Sequence, residues 1–141
     1  MLLDANALLL PVRTHFPLEA EVERVRPGAH LVVPTSVIEE LEGLAARGVP
    51  EARAATALAR KFPALAVDGR GDAAILNAAV RHGAWVVTAD RALAERLRRR
   101  GVSVLVPRDR HRLDLHPGRV PTLSPPPTGA RAEPARRRQR L

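Results

Sequence analysis

The chain of 141 residues contains no cysteine, which excludes disulfides, zinc ribbons and thiol chemistry. Aromatic side chains are almost missing: Phe16, Phe62 and Trp85 are the whole set. Base stacking is therefore a poor route to specificity for any nucleic-acid ligand. The five histidines, His15, His30, His82, His111 and His116, show no metal-ligand spacing such as His-Glu-x-x-His. No apolar run approaches the length of a membrane span. The start Met-Leu-Leu-Asp lacks the basic segment of a signal peptide. The expectation is a cytoplasmic protein without a membrane partner. Two asparagines, one glutamine and one methionine stand beside thirteen prolines. Such a composition suits heat adaptation and equally suits a GC-rich coding habit, as does a basic set that is arginine apart from Lys61.

What is present is unevenly charged. Residues 1–90 carry 9 basic and 11 acidic side chains, whereas residues 91–141 carry 14 basic and 4 acidic ones. An acidic region joined to a basic C-terminal third suits a polyanionic substrate that must approach a cation site. Simple solubility is the bland alternative.

The length fits one domain with a real core. Residues 1–4 read as a short buried strand, and Asn6 to Pro11 as an apolar turn or short helix ended by proline. A helix is expected over Leu18–Arg26, a strand over Leu31–Val33, and a helix over Thr35–Arg47 closed by Gly48. An Ala-rich helix over Glu51–Lys61 precedes a strand at Leu65–Val67. Then come a helix over Asp72–Arg81, a strand at Trp85–Thr88, a helix over Arg91–Arg100 and a strand at Val102–Val106. Arg108 to Gly118 adds a short edge excursion. The strands are continuous apolar runs, as when both sheet faces are buried. The expected class is α/β: three layers, α/β/α, with a mostly parallel, Rossmann-like central sheet. Residues 1–118 form the domain. Residues 119–141, with Pro125-Pro126-Pro127 and Arg136-Arg137-Arg138, hold too little apolar surface to offset ordering and read as a disordered basic tail.

Four acidic positions follow strand-like runs. Asp4 follows Met1-Leu2-Leu3, Glu40 lies in the helix after Leu31-Val32-Val33-Pro34, Asp72 follows Gly71, and Asp90 follows Trp85-Val86-Val87-Thr88-Ala89. In an open α/β sheet, strand carboxyl ends gather at the ligand-binding edge. Carboxylates crowded there repel one another unless a cation intervenes, and hard Mg²⁺ or Mn²⁺ suits oxygen ligands. Asp4, Asp72 and Asp90 are equally residues that cap helices. Asp68 rivals Asp72. Glu39, Glu40 and Glu42 compete for one role. At about 100° per residue, Val37, Ile38, Leu41, Leu44 and Ala45 form an apolar face. Glu39 lies nearly opposite its centre, Glu42 is turned away, and Glu40 sits at its flank, which favours Glu40. Thr88 can donate to a carboxylate or bound water, or simply favour a strand. Asn6 could orient a water or a liganding carboxylate, and an Asx-turn is equally open to it.

The pieces Leu3-Asp4-Ala5-Asn6, Val33 through Leu41, Gly71-Asp72-Ala73-Ala74-Ile75 and Val87-Thr88-Ala89-Asp90-Arg91-Ala92-Leu93 together resemble PIN-domain nucleases. Their order and the following Gly101-Val102-Ser103-Val104 fit too. With Val106 through Leu115 as closing segment, the sequence looks similar to archaeal relatives of the PIN proteins that cleave precursor ribosomal RNA. The resemblance covers about residues 1–118. It implies a metal-dependent endoribonuclease and maps its catalytic, metal-holding carboxylates onto Asp4, Glu40, Asp72 and Asp90. It also suggests a homodimer or higher homo-oligomer. Ala5 stands where the family usually has Thr or Ser, and Ala89 where Asn is frequent. Both departures thin the support around the carboxylates and leave the carboxylates in place.

The leading expectation is a Mg²⁺- or Mn²⁺-dependent endoribonuclease acting in ribosomal or other RNA processing. Arg96, Arg98, Arg99 and Arg100 on one helix, with Arg136, Arg137 and Arg138 in the tail, would hold the RNA backbone without choosing sequence. A toxin ribonuclease restrained by an antitoxin is one rival. A non-catalytic RNA-binding or assembly protein is another, although binding alone gains nothing from carboxylates clustered near phosphate.

Overall fold

The computed structural model describes residues 1–120. The tail residues 121–141, including Arg136, Arg137 and Arg138, lie outside the described residues. In chain order the elements are β1 (Leu2–Leu3), α1 (Ala5–Thr14), α2 (Leu18–Val25), β2 (Val33–Pro34), α3 (Thr35–Ala46), α4 (Ala52–Ala59), β3 (Ala64–Leu65), α5 (Gly71–His82), β4 (Val86–Val87), α6 (Arg91–Arg99), β5 (Val104–Pro107) and β6 (Leu113–His116).

Strands β1, β4, β5 and β6 form one sheet in that order, and β2 pairs with β3. A parallel bridge between Leu2 and Val32 joins the two, giving β3-β2-β1-β4-β5-β6. All pairings are parallel except β5 with β6. The chain leaves β1 toward β2 and β3, then crosses back to β4 on the other side of β1. The switch point, where such sheets open a crevice for ligands, therefore lies between β1 and β4. Both residues of β1, both of β4, and Val104 and Leu105 of β5 are fully buried. Consecutive buried residues point to opposite faces, so both faces are covered. Helices α1 to α4 pack together, as do α5 and α6. Right-handed crossovers place these two groups on opposite faces, which yields the three-layer α/β/α architecture.

Several expected bounds shift, β2 to Val33–Pro34 from Leu31–Val33 and β5 to Val104–Pro107 from Val102–Val106, and two further changes have a local cause. Helix α1 does not stop at Pro11 but runs through it to Thr14. Proline forfeits one backbone bond there, yet Leu8 and Leu9 are buried on the same helix. Beyond the proline, Thr14 Oγ1 and His15 N donate to the Leu10 and Pro11 carbonyls. Strand β3 is Ala64–Leu65 rather than Leu65–Val67, because its register is set by Val33 and Pro34. The Val67 N–H instead donates to Thr35 Oγ1 at 3.2 Å, tying the chain after β3 to the start of α3.

Edge strand β6 is held from outside by α2. Glu21 accepts from Leu113 N at 2.8 Å, and Arg24 Nη2 donates to the Leu113 carbonyl at 2.9 Å. Arg24 also grips Glu21 through Nε and Nη2. With the Leu113 N–H and C=O both bonded, less of this edge is open to a foreign strand. The chain then returns to α6: Arg119 N donates to the Arg98 carbonyl, and Gly118 N to Ser103 Oγ. Gly118 passes so close to Gly101 that a Cβ would stand 2.3 Å from the Gly101 carbonyl. Only glycine allows that approach. Arg119, placed by sequence in the tail, is thus bonded to the domain.

Candidate active site

Asp4 ends β1 and caps α1. Its Oδ1 accepts from Ala7 N at 2.7 Å, the N-cap arrangement that favours aspartate. Its Oδ2 accepts from the hydroxyl of Thr88, just past β4. Asp4 is 3% exposed and Thr88 0%. Burial raises the Asp4 carboxyl from 3.8 to about 6; the Thr88 and Ala7 hydrogen bonds oppose the rise, and the charges of Glu40 and Asp90 add to it. Burial first, and the neighbouring anions after it, disfavour the charged form of Asp4, and a cation placed there would offset both.

Asp90 repeats the pattern one strand over. It caps α6 through Oδ1, which accepts from Leu93 N at 3.0 Å. Its own N–H donates to Thr88 Oγ1 at 3.0 Å. Thr88 therefore donates to one aspartate and accepts from the backbone of the other. Capping and clustering are not alternatives here; the same two residues do both, at the two strands flanking the switch point.

Glu40 and Asp72 face each other where α3 meets α5. They line an open cleft of about 560 Å³ with Ser36, Glu39, Gly43 and Arg47. Glu40 stays accessible, but partial enclosure and the Asp72 charge push its carboxyl above the ordinary range, and Arg47 pulls the other way. Asp72 is not a cap: Arg70 holds that position, without a side-chain bond. Asp72 sits in the first turn of α5, where the helix dipole favours an anion. Arg96 of α6 approaches it to 3.6 Å. Asp68, the rival to Asp72, lines a different hollow with Asn77, Arg81 and His82. Among the three α3 glutamates, Glu42 is paired with Arg60 outside the cleft. Glu39 does line the cleft, while the α3 charge acting on Asp4 is that of Glu40.

The other expected residues are placed as follows. Asn6 is exposed and, among the described residues, makes no hydrogen bond to a carboxylate. Arg98 donates to the Pro117 carbonyl at 3.0 Å. Glu95 gathers Arg98, Arg99 and Arg119 at 3.9, 3.6 and 2.6 Å. Part of the arginine-rich helix is thus engaged within the protein, though exposed pairs of this kind hold weakly. Arg100 is the C-cap of α6 and exposed.

Sequence reasoning missed Ser36, Gly43 and Arg47. The available signal was spacing: with Glu40 they recur at four, three and four residues, one stripe of a helix. Gly43 leaves that stripe open, and the Arg47 guanidinium lies 3.5 Å from where a Gly43 Cβ would stand. Ser36 is 7% exposed, and its Oγ is the buried side-chain polar atom left without a partner among the described residues. An unpartnered buried hydroxyl costs about 1–3 kcal/mol.

A model of PIN-like domains matches residues 1–110. The chain belongs to the PIN-like domain family. A similar solved structure is that of the PIN domain endonuclease Utp24, with a TM-score of 0.71 and 22% identity over 84% of this chain and 93% of that one. At that identity the likeness establishes the PIN fold. Among curated proteins none matches significantly.

The donor set of this PIN-like domain is all oxygen, which suits a hard divalent cation. Among the described residues no three carboxylates or imidazoles are drawn together as a ready-made metal cage. Asp4 feels the charges of Glu40 and Asp90, and Glu40 that of Asp72 beside it in the open cleft. That arrangement fits an ion that keeps several waters and takes only a few protein ligands, as Mg²⁺ does. Among the described residues no helix is long and apolar enough to cross a membrane.

Proposed function

We propose that this PIN-like domain is an endoribonuclease that uses Mg²⁺ or Mn²⁺ and acts in the processing of ribosomal or other RNA. The observation that carries the reading is Asp4: buried, raised to about 6, and flanked by the charges of Glu40 and Asp90 at the switch point. Uncompensated anions in that position disfavour the fold unless a cation joins them. Asp4, Glu40, Asp72 and Asp90 would hold the cation. When bound, it would polarise a phosphodiester and lower the pKa of a water for in-line attack. Thr88 fixes Asp4 and braces the backbone of Asp90, so two of the four carboxylates are preset. Asn6, exposed in the first turn of α1, would orient a water. Arg96, Arg98, Arg99 and Arg100, with Arg136, Arg137 and Arg138, would contact the RNA backbone. A homodimer or larger homo-oligomer is the proposed assembly. The toxin reading gains support only if the neighbouring gene encodes a small DNA-binding antitoxin.

The test uses the full chain and a labelled single-stranded RNA with Mg²⁺, Mn²⁺ or chelator. Cation-dependent internal cleavage leaving 5′-phosphate ends is expected, abolished by Asp4→Asn and Asp90→Asn. RNA binding without cleavage under every cation condition would favour the non-catalytic reading instead. Removing residues 121–141 should weaken RNA binding and flatten its salt dependence while leaving saturated turnover unchanged. Cutting after residue 120 spares Arg119, which the domain uses.

A further inference from the structure

We infer that Ser36 is the positioning residue for Glu40: its hydroxyl donates to the Glu40 carboxylate when a divalent cation draws that side chain into the cleft. This rests on the cation-dependent reading above.

Three of the four carboxylates have a donor or cationic partner. Asp4 has Ala7 N and the Thr88 hydroxyl. Asp90 has Leu93 N. Asp72 has the Arg96 guanidinium nearby. Glu40 alone of the four has no donor or ion-pair partner among the described residues. On the other side of the ledger stands, among the described residues, one unpartnered buried hydroxyl, Ser36 Oγ, lining the cleft with Glu40 and Asp72. The adjacent Thr35 hydroxyl is already engaged by Val67 N.

Geometry brings the two together. Ser36 and Glu40 are four residues apart on α3, hence neighbours on one face. Helical side chains lean toward the N-terminus, so Glu40 lies over the turn that Ser36 occupies. A liganding carboxylate is ordered by the hydrogen bonds it accepts, and loss of such a partner weakens metal affinity about 10- to 100-fold. Glu40 is exposed, with partial enclosure and the Asp72 charge raising its carboxyl, and the Ser36 hydroxyl is unpaired among the described residues.

The two roles open to Ser36 predict opposite signs. If it only supported the fold, Ser36→Ala would lower the melting temperature of the cation-free protein. If it positions Glu40, removing an unpaired buried hydroxyl leaves that temperature equal or higher, while Mn²⁺ affinity falls about 10- to 100-fold. The experiment titrates Mn²⁺ alone into the full chain by calorimetry and measures thermal stability with and without Mn²⁺. It compares wild type, Ser36→Ala, Ser36→Thr, Glu40→Ala and the double variant Ser36→Ala/Glu40→Ala. Near-wild-type affinity in Ser36→Thr, and no further loss when Ser36→Ala is added to Glu40→Ala, are expected. Should threonine's extra methyl lower the cation-free melting temperature, the double-variant comparison decides. Wild-type Mn²⁺ affinity in Ser36→Ala, or an equal loss in the Glu40→Ala background, overturns the inference and leaves the nuclease reading standing. A wild-type protein that neither binds Mn²⁺ nor cleaves RNA overturns both.

Discussion

Replacing Asp4 by asparagine should make the cation-free protein more stable at neutral pH, and the gain should disappear in acid. A carboxyl raised in the folded state binds its proton more tightly there than in the unfolded chain. Stability therefore falls as pH rises through the window from 3.8 to about 6, between the ordinary value and the folded one. At about 1.4 kcal/mol per pH unit, the ionised Asp4 disfavours the fold by about 3 kcal/mol above that window. Asparagine keeps an oxygen for Ala7 N but presents an NH₂ where Thr88 now donates, which costs about 1 kcal/mol. The net expectation at pH 7.5 is about 2 kcal/mol of stabilisation, or an upward shift near 1 M in urea midpoint for a domain of this size. Between pH 7.5 and 4.5 about 2 kcal/mol of the wild-type disadvantage is lost by protonation, so the two proteins should converge. Urea unfolding in chelator at the two pH values measures this. An asparagine variant less stable than wild type at pH 7.5, or a difference that does not change with pH, would refute the account of Asp4 as a strained anion. Adding Mn²⁺ should raise the stability of wild type and not of the variant.

Three further outcomes follow from the same geometry. Asp90→Ser should keep the cap on Leu93 N and the stability while losing RNA cleavage, whereas Asp90→Ala should also lose about 1 kcal/mol; urea unfolding beside a cleavage assay tests both. Thr88→Val should destabilise by about 2 kcal/mol, because Asp4 loses its donor and the Asp90 N–H its acceptor. It should also move the Asp4 carboxyl higher still, which carboxyl NMR titration reads. Glu21→Ala should speed amide exchange at Leu113. Glu21 titrates near 2 rather than 4.5, held down chiefly by Arg24. Its contribution is therefore whole above pH 4.5 and lost as pH falls toward 2, so wild type and variant should converge in stability over that acid range.

The mostly parallel α/β sheet, and Asp4 and Asp90 shortly after its strands, were legible because they follow from local rules. Apolar runs such as Trp85-Val86-Val87 mark buried strands, and the residue after each strand lands at one edge. Pro11 misled because proline's local penalty was weighed without the buried Leu8 and Leu9 of the same helix, which keep α1 going. Asp72 was legible as an acid at a helix start, but not as a first-turn residue; the cap falls on Arg70 through the turn at Gly69 and Gly71, both at positive φ. Ser36 carried no signal of its own. A serine after Pro34-Thr35 reads as an ordinary helix start, and only the absence of a partner for its hydroxyl sets it apart. The clamp of Glu21 and Arg24 on Leu113 spans 92 and 89 residues of sequence, a distance across which no local pattern speaks.

A helix cap is a sound way to place a cation ligand beside a core. A cap fixes an aspartate through one carboxylate oxygen on a backbone N–H, so the side chain is held without arginine or lysine nearby to neutralise it. Asp4 and Asp90 are held in this way at adjacent strand ends, and Thr88 couples the two. In Asp90 the second oxygen carries no hydrogen bond among the described residues, which leaves it available to a cation. Glu40 comes from mid-helix and Asp72 from a first turn, where no cap fixes them, and these are the two that face the open cleft. The cluster thus has a rigid half at the switch point and an adjustable half on α3 and α5. Glu40 and Asp72 line the cleft, whereas Asp4 and Asp90 do not line it and are linked to it through the charge of Glu40 on Asp4; all four would hold the cation. Among the described residues no three carboxylates form a complete cage, and the buried hydroxyl without a partner, Ser36 Oγ, lies on the adjustable side of the cluster.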